Sequence, residues 1–144
     1  MPLNQKPETT GRKCTKCGKS EPDVNFTLKQ NTWGKWYSRP MCNSCYNVLK
    51  ESQRKAVFKE FGRGKTHILI QENRPPLGTP CKICSTPMTH GRGSDSVNFD
   101  HDPVSHTFRG WICKKCNTSL GGFGDSLEGL LKAVNYLTPN ETTD

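Results

Sequence analysis

Asp100, His101 and Asn117 are the residues of this chain whose types and spacing could together carry out hydrolysis of a phosphodiester. A carboxylate oxygen and a carboxamide oxygen are hard donors of the kind Mg²⁺ accepts, so Asp100 and Asn117 read as ligands of one catalytic cation. A neutral imidazole, abundant at pH 7 because its ordinary pKa is about 6.5, suits His101 to take a proton from an attacking water. The cation would neutralise the phosphate and ease departure of the 3′ oxygen, with no side chain becoming covalently attached. Mn²⁺ could substitute for Mg²⁺. A strand ending in Asp100-His101, opposite a helix bearing Asn117, would aim all three groups at one point. Successive strand residues face opposite ways, so the backbone must leave regular β geometry at or just after Phe99.

The elements that would hold this constellation are announced by cysteine. Eight cysteines form four Cys-x-x-Cys pairs, and Asn117 directly follows the last of them. In a reducing compartment such pairs point to zinc rather than to disulfides, the alternative being a secreted disulfide scaffold. Cys14, Cys17, Cys42 and Cys45 form one expected tetrathiolate site, and Cys81, Cys84, Cys113 and Cys116 a second. With four sulfurs per ion no coordination position is left open, so both zincs are expected to be structural. Each would contribute folding energy on the order of 10 kcal/mol. A chain only 31% hydrophobic needs that help. The second zinc would also fix the start of the Asn117 helix against the Asp100 strand.

Around the central set the readings stay open. Asp102 either orients His101 or is a turn residue before Pro103, and Arg109 is either a phosphate contact or an exposed strand charge. His106 reads as a turn residue, Phe108 and Trp111 as core, and His67 and His90 carry no signal.

The formal charge of +8 falls to +4 once two filled tetrathiolate sites, each −2, are counted. Residues 1–61 hold twelve Lys/Arg against five Asp/Glu, whereas residues 81–144 hold six against seven. The front half thus attracts phosphate, and the back half contains the acids that a hard cation needs. A helix over 46–61 places Lys50, Arg54, Lys55 and Lys59 on a basic face, read as DNA-binding against the alternative of an ordinary solvated surface.

The expected organisation is a disordered tail over 1–12, a Cys₄ zinc-ribbon-like module with the basic helix over 13–61, a linker over 62–80, a strand–strand–helix domain over 81–138, and a tail over 139–144. In the first module a short hairpin joins Phe26-Thr27-Leu28 to Trp36-Tyr37-Ser38. In the second, Val97-Asn98-Phe99 pairs with a strand over 107–111 across a turn containing Asp102-Pro103. A helix over 114–120 follows, stopped by Gly121-Gly122. Asp125 reads as the N-cap of a last helix whose Leu127, Leu130, Leu131, Val134 and Leu137 recur at helical spacing, a packing helix for the hairpin or for a partner subunit. The fold class is small, zinc-stabilised α+β. No stretch approaches the roughly 20 apolar residues that span a bilayer and none resembles a signal peptide, so a cytoplasmic protein without a membrane partner is expected.

These motifs carry a resemblance. Cys81-x-x-Cys84, Asn98-Phe99-Asp100-His101-Asp102, Phe108-Arg109-Gly110-Trp111-Ile112-Cys113-x-x-Cys116-Asn117, Leu120-Gly121 and Ala133-x-x-Tyr136-Leu137 closely resemble the phage recombination endonuclease VII family, within the HNH or ββα-metal nucleases. The likeness covers roughly residues 68–138. It implies Mg²⁺-dependent DNA hydrolysis with His101 as base, Asp100 and Asn117 as ligands, and a structural zinc. It further implies a phage protein acting in the host cell on duplex or branched DNA, as a nickase or as a homodimer resolving four-way junctions. Two positions depart from the family's run: Pro103 stands where another histidine often follows, and Leu120 where an acid is sometimes found. The competing function is a non-catalytic zinc protein with a decayed site, binding DNA or scaffolding a phage complex.

Overall fold

The computed structural model describes residues 5–138, so the expected tail over 139–144 and the first four residues of the expected 1–12 tail lie outside the described residues. The chain forms two compact units that divide between Glu51 and Ser52.

In the first unit, β1 (Leu28–Gln30) pairs antiparallel with β2 (Trp36–Ser38). Their connection is tied by Asn31, whose backbone N–H donates to the Lys35 carbonyl at 2.9 Å and whose Oδ1 accepts from the Trp33 and Lys35 N–H groups. The expected first strand starts two residues late. Phe26 is buried instead with Cys14 and Cys42 in a small core that Val24, Met41 and Cys45 complete. α1 (Asn43–Phe61) begins inside the second Cys-x-x-Cys pair, three residues before the sequence pattern becomes helical. The Asn43 side chain accepts from both the backbone N–H and the hydroxyl of Thr27, which secures that early start. Within the expected tail, the N–H and hydroxyl of Thr10 both donate to the Glu21 carboxylate.

The second unit takes α1 from Ser52 onward. Ala56 and Val57 are completely buried there against Phe99, and Phe61 enters a four-ring cluster with Phe99, Phe108 and Trp111. Phe99 and Phe108 stack at 4.6 Å between centroids. α2 (Thr66–Asn73) adds Leu69 and Ile70 to the same cluster. The division at Glu51/Ser52 thus falls within α1, and Leu69 and Ile70, from the Pro/Gly-rich 62–80 stretch, pack against the cluster of Ala56, Val57 and Phe99.

β3 (Val97–His101) and β4 (Phe108–Cys113) then form an antiparallel hairpin, and α3 (Lys114–Gly122) packs against both strands. A second core of Cys81, Met88, Ile112, Cys113 and Cys116 lies under Val97, Trp111 and Leu120. This is small α+β architecture with the order strand, strand, helix.

Two expectations about the C-terminal region are corrected. Gly121-Gly122 does not stop α3, which runs through both and is capped at Phe123 by backbone bonds to Ser119, Leu120 and Gly121 carbonyls. The N-cap of α4 (Leu127–Leu137) is Ser126, whose hydroxyl accepts from the Gly129 N–H at 3.1 Å, because Asp125 sits in the left-handed region at φ 52°. Among the described residues α4 has no buried member, Leu127 being 73% and Leu137 77% exposed, so the expected packing on a partner subunit stays a proposal. The helix is amphipathic as read, with Leu130 and Ala133 partly buried and Leu127, Leu131, Val134 and Leu137 exposed.

Candidate active site

The hairpin leaves regular geometry between Asp100 and His101, where the register shifts. Asp100 lies opposite Gly110 and His101 opposite Phe108, so Arg109 is the extra residue of a bulge on β4. The departure expected at the acid–histidine pair is thus carried by the partner strand. Gly110 adopts φ 149°, a left-handed-side conformation that side chains disfavour, and an added Cβ would meet the Lys82 side chain at 2.9 Å.

The bulge places the Arg109 guanidinium on Asp100. Nε donates to Oδ2 at 2.8 Å and Nη2 to Oδ1 at 3.1 Å, a two-pronged charge-assisted pair. Nη2 also pairs with Asp125, which the loop between α3 and α4 supplies. Asp100 is 7% exposed. The Asp100 hydrogen bonds raise the pKa of Arg109, with Asp125 adding to the effect against the opposing cost of burial. Arg109 is therefore not a free strand charge: it is paired with Asp100 and Asp125 while its side chain stays about one-third exposed. Asp125, taken from the sequence as a helix cap, is the acid that sequence reasoning missed here. Its left-handed backbone, unusual outside glycine, is the structural mark.

His101 is half-buried. Its Nε2 lies 2.9 Å from the hydroxyl of Ser52, a buried residue of α1, and Ser52 Oγ is also 3.1 Å from Nδ1 of His106. Burial pushes the His101 pKa down, and the charges of Asp100 and Asp125 oppose that shift without reversing it. The resting imidazole is accordingly biased to its neutral form. Asp102 takes the turn role: its Oδ1 accepts from the Val104 and Ser105 N–H groups at 2.8 and 2.9 Å, and those bonds lower its pKa. Ser52 carried no sequence signal and His106 only that of a turn residue, because each acquires its partner only when distant segments meet.

Asn117 is half-buried in the first turn of α3. That turn is anchored where Lys114 and Lys115 donate their backbone N–H groups to the Ser96 and Ser94 carbonyls, at 2.8 and 2.9 Å. Cys113 is both a member of the second sulfur cluster and the N-cap, its sulfur accepting from the Cys116 N–H at 3.5 Å. The cluster and the helix start are thereby one structure.

Both cysteine quartets assemble. In each, the four sulfurs lie within 4.8 Å of one another. Cys17 and Cys42 sulfurs are 4.0 Å apart and those of Cys84 and Cys113 3.7 Å, close to the roughly 3.8 Å edge of a tetrahedron with bonds of about 2.3 Å. The N–H groups of Cys42 and Cys113 donate to the Cys14 and Cys81 sulfurs at 3.3 Å, favouring thiolates. Backbone N–H groups from Cys17 and Cys42 bring Cys14 down to about 6, and the Thr86 hydroxyl and N–H do the same for Cys84. Hydrogen bonding to Cys42, followed by burial, raises Cys45 to about 12, and burial, followed by bonding to Cys113, does so for Cys116. Both quartets are compatible with structural zinc.

For a divalent cation near Asp100 the donor chemistry also fits. Each carboxylate oxygen keeps acceptor capacity beyond its bond to Arg109. Among the described residues the Asn117 carboxamide has no hydrogen-bond partner, which leaves its oxygen available. Lys50, Arg54, Lys55 and Lys59 are all exposed on α1. Lys59 Nζ donates to the Thr107 hydroxyl at 3.1 Å, and the Arg54 guanidinium lies over the Phe58 ring.

Residues 60–139 match the profile of the recombination endonuclease VII family, more than half of the chain. The chain belongs to the recombination endonuclease VII family. This endonuclease VII-family chain is also similar to the crystal structure of the ββα-Me type II restriction endonuclease Hpy99I, with TM-score 0.53 and 26% identity. That likeness covers 87% of this chain and 63% of the other, so the family member spans under two thirds of the restriction enzyme's length. No curated protein matches it. Family and fold agree with the resemblance read from the sequence. Among the described residues no helix is long and apolar enough to cross a membrane.

Proposed function

We propose that this endonuclease VII-family chain is a metal-dependent DNA endonuclease that hydrolyses phosphodiester bonds with a histidine-activated water. The observation that carries the reading is the register shift between Asp100 and His101, with a buried acid on one side of it and a neutral-biased imidazole on the other, beside a helix whose first turn contains Asn117. Asp100 and Asn117 would hold a divalent cation, Mg²⁺ by donor type with Mn²⁺ as a substitute. When bound, that ion supplies charge neutralisation at the phosphate and at the departing 3′ oxygen.

The chain's own residues do the rest. His101 removes the proton from the attacking water, a contribution of about 10²- to 10⁴-fold. Arg109 holds the Asp100 carboxylate in one orientation through two bonds, and Asp125 holds Arg109. Zinc in each cysteine cluster keeps the α3 N-terminus and the first unit's hairpin in shape. The basic residues of α1 supply phosphate attraction. Duplex or branched DNA, nicking, junction cleavage and a homodimer remain within this proposal. So do the assignment of 13–61 and 81–138 as functional modules, a phage origin and cytoplasmic action.

Incubating the protein with plasmid and four-way-junction DNA, with and without added Mg²⁺, tests the reading. His101→Ala should lower the cleavage rate by about 10²- to 10⁴-fold while leaving DNA affinity within a few-fold. Intact DNA in the presence of wild-type protein that still binds it would establish the competing non-catalytic zinc binder.

A further inference from the structure

Ser52 lies outside the family match over residues 60–139, yet it is the residue that touches the candidate base. It is 6% exposed, and its hydroxyl has three polar neighbours: His101 Nε2 at 2.9 Å, His106 Nδ1 at 3.1 Å and the Pro103 carbonyl at 3.5 Å. The hydroxyl has one proton to give. The Pro103 carbonyl can only accept, and it belongs to the same turn as His106. A Ser52 proton directed into that turn serves Pro103 or the His106 nitrogen. With the proton so directed, His101 Nε2 is the donor to Ser52 Oγ; a Ser52 proton given to His101 would instead make Nε2 the acceptor and His106 Nδ1 the donor. A neutral imidazole that donates from Nε2 carries its lone pair on Nδ1.

The turn is built to present His106. Asp102 N–H donates to the Thr107 carbonyl at 2.9 Å, His106 N–H to the Asp102 carbonyl at 2.9 Å, and the Asp102 side chain takes the Val104 and Ser105 N–H groups. His106 itself sits at φ 54°, in the left-handed region that histidine enters more readily than most residues other than glycine. Ser52 is fixed from the other side by α1, where Ala56 and Val57 are fully buried against Phe99. A tilted ring contact adds a further restraint, with the centroids of Phe99 and His101 5.9 Å apart.

We propose that Ser52 and His106 are positioning residues that fix the His101 ring as the Nε2-protonated tautomer, leaving Nδ1 as the base. This rests on the nuclease reading for its consequence but not for its measurement. Ring nitrogen NMR of the full chain reports directly which His101 nitrogen carries the proton. The wild type should show it on Nε2, and Ser52→Ala should give a mixture of the two tautomers. Ser52→Ala should also lower kcat for DNA cleavage about 10- to 100-fold with KM within about twofold, because ring misplacement of an ångström costs that much.

His106→Asn retains a side-chain acceptor near the Nδ1 position and tolerates the left-handed backbone, so it should keep most of the activity and the tautomer. His106→Leu should lose both. Thermal unfolding of each variant separates these effects from loss of the fold. A proton on Nδ1 in the wild type overturns the inference whatever the cleavage rate, and so does Ser52→Ala with an unchanged tautomer and kcat. If the wild type cleaves nothing, the nuclease reading fails, and the tautomer comparison still decides the role of Ser52.

Discussion

At the scale of residues, burial decides how the candidate base behaves. His101 is pushed towards neutrality by desolvation, and the nearby carboxylates only partly offset this. Its pKa in the folded chain therefore lies below the ordinary value of about 6.5. The sign follows directly. Between the folded and ordinary pKa values the unfolded chain binds more protons, so His101 lowers stability as pH falls through that window and costs nothing above it. The same shift extends the active form downward. The acid limb of kcat/KM for DNA cleavage is expected to fall below pH 6.5, and a limb above that pH would assign the base elsewhere. Asp102 has the opposite chemistry and the same direction of dependence: its turn bonds stabilise the carboxylate, and the benefit disappears as pH drops through its lowered pKa.

At the scale of elements, the β4 bulge sets the geometry. Arg109 can reach Asp100 because it is the unpaired residue between Phe108 and Gly110, and the chain can bend there because Gly110 reaches φ 149°. Gly110→Ala forces a side chain into that conformation and against Lys82. It is expected to destabilise the second unit by about 1–3 kcal/mol in urea unfolding. DNA cleavage should decline further than stability alone explains, since Asp100 loses its orientation. An activity loss no larger than the folded fraction lost would separate the bulge from catalysis. On α1, neutralising Lys50, Arg54, Lys55 and Lys59 together should weaken DNA binding and flatten its dependence on salt, by about 0.9 in logarithmic slope for each lost duplex phosphate contact. An unchanged slope returns the helix face to ordinary solvated surface.

At the scale of the whole molecule, two thin cores each depend on a sulfur cluster. Cys14 and Cys42 make up most of one buried core, and Cys81, Cys113 and Cys116 most of another. Few apolar side chains remain to hold either arrangement without metal. Metal release measured colorimetrically after denaturation is expected to give two zinc ions per chain, and Cys113→Ser one. That variant should lose cleavage altogether although Asp100 and His101 are untouched, because Cys113 also caps the helix that bears Asn117. Two zincs retained in Cys113→Ser would dissociate the cluster from metal binding.

The sequence alone determined what is set by type and local spacing. Paired cysteines at fixed intervals, the hairpin between them, the amphipathic last helix and the acid–histidine–asparagine order all follow from short-range chemistry that any reader of the chain can see. Even the break in strand regularity was legible, because alternation forbids two neighbouring strand residues from facing one way. Tertiary structure decided the partners. Ser52 meets His101 across 49 positions and His106 across 54, and Asp125 meets Arg109 across 16. No periodicity encodes such pairs, since they exist only once apolar burial of Phe61, Phe99, Phe108 and Trp111 has brought α1 against the hairpin. Composition marks where a chain turns, and buried area marks where it coheres: Leu69 and Ile70 lie in the Pro/Gly-rich stretch yet pack against the cluster of Ala56, Val57 and Phe99.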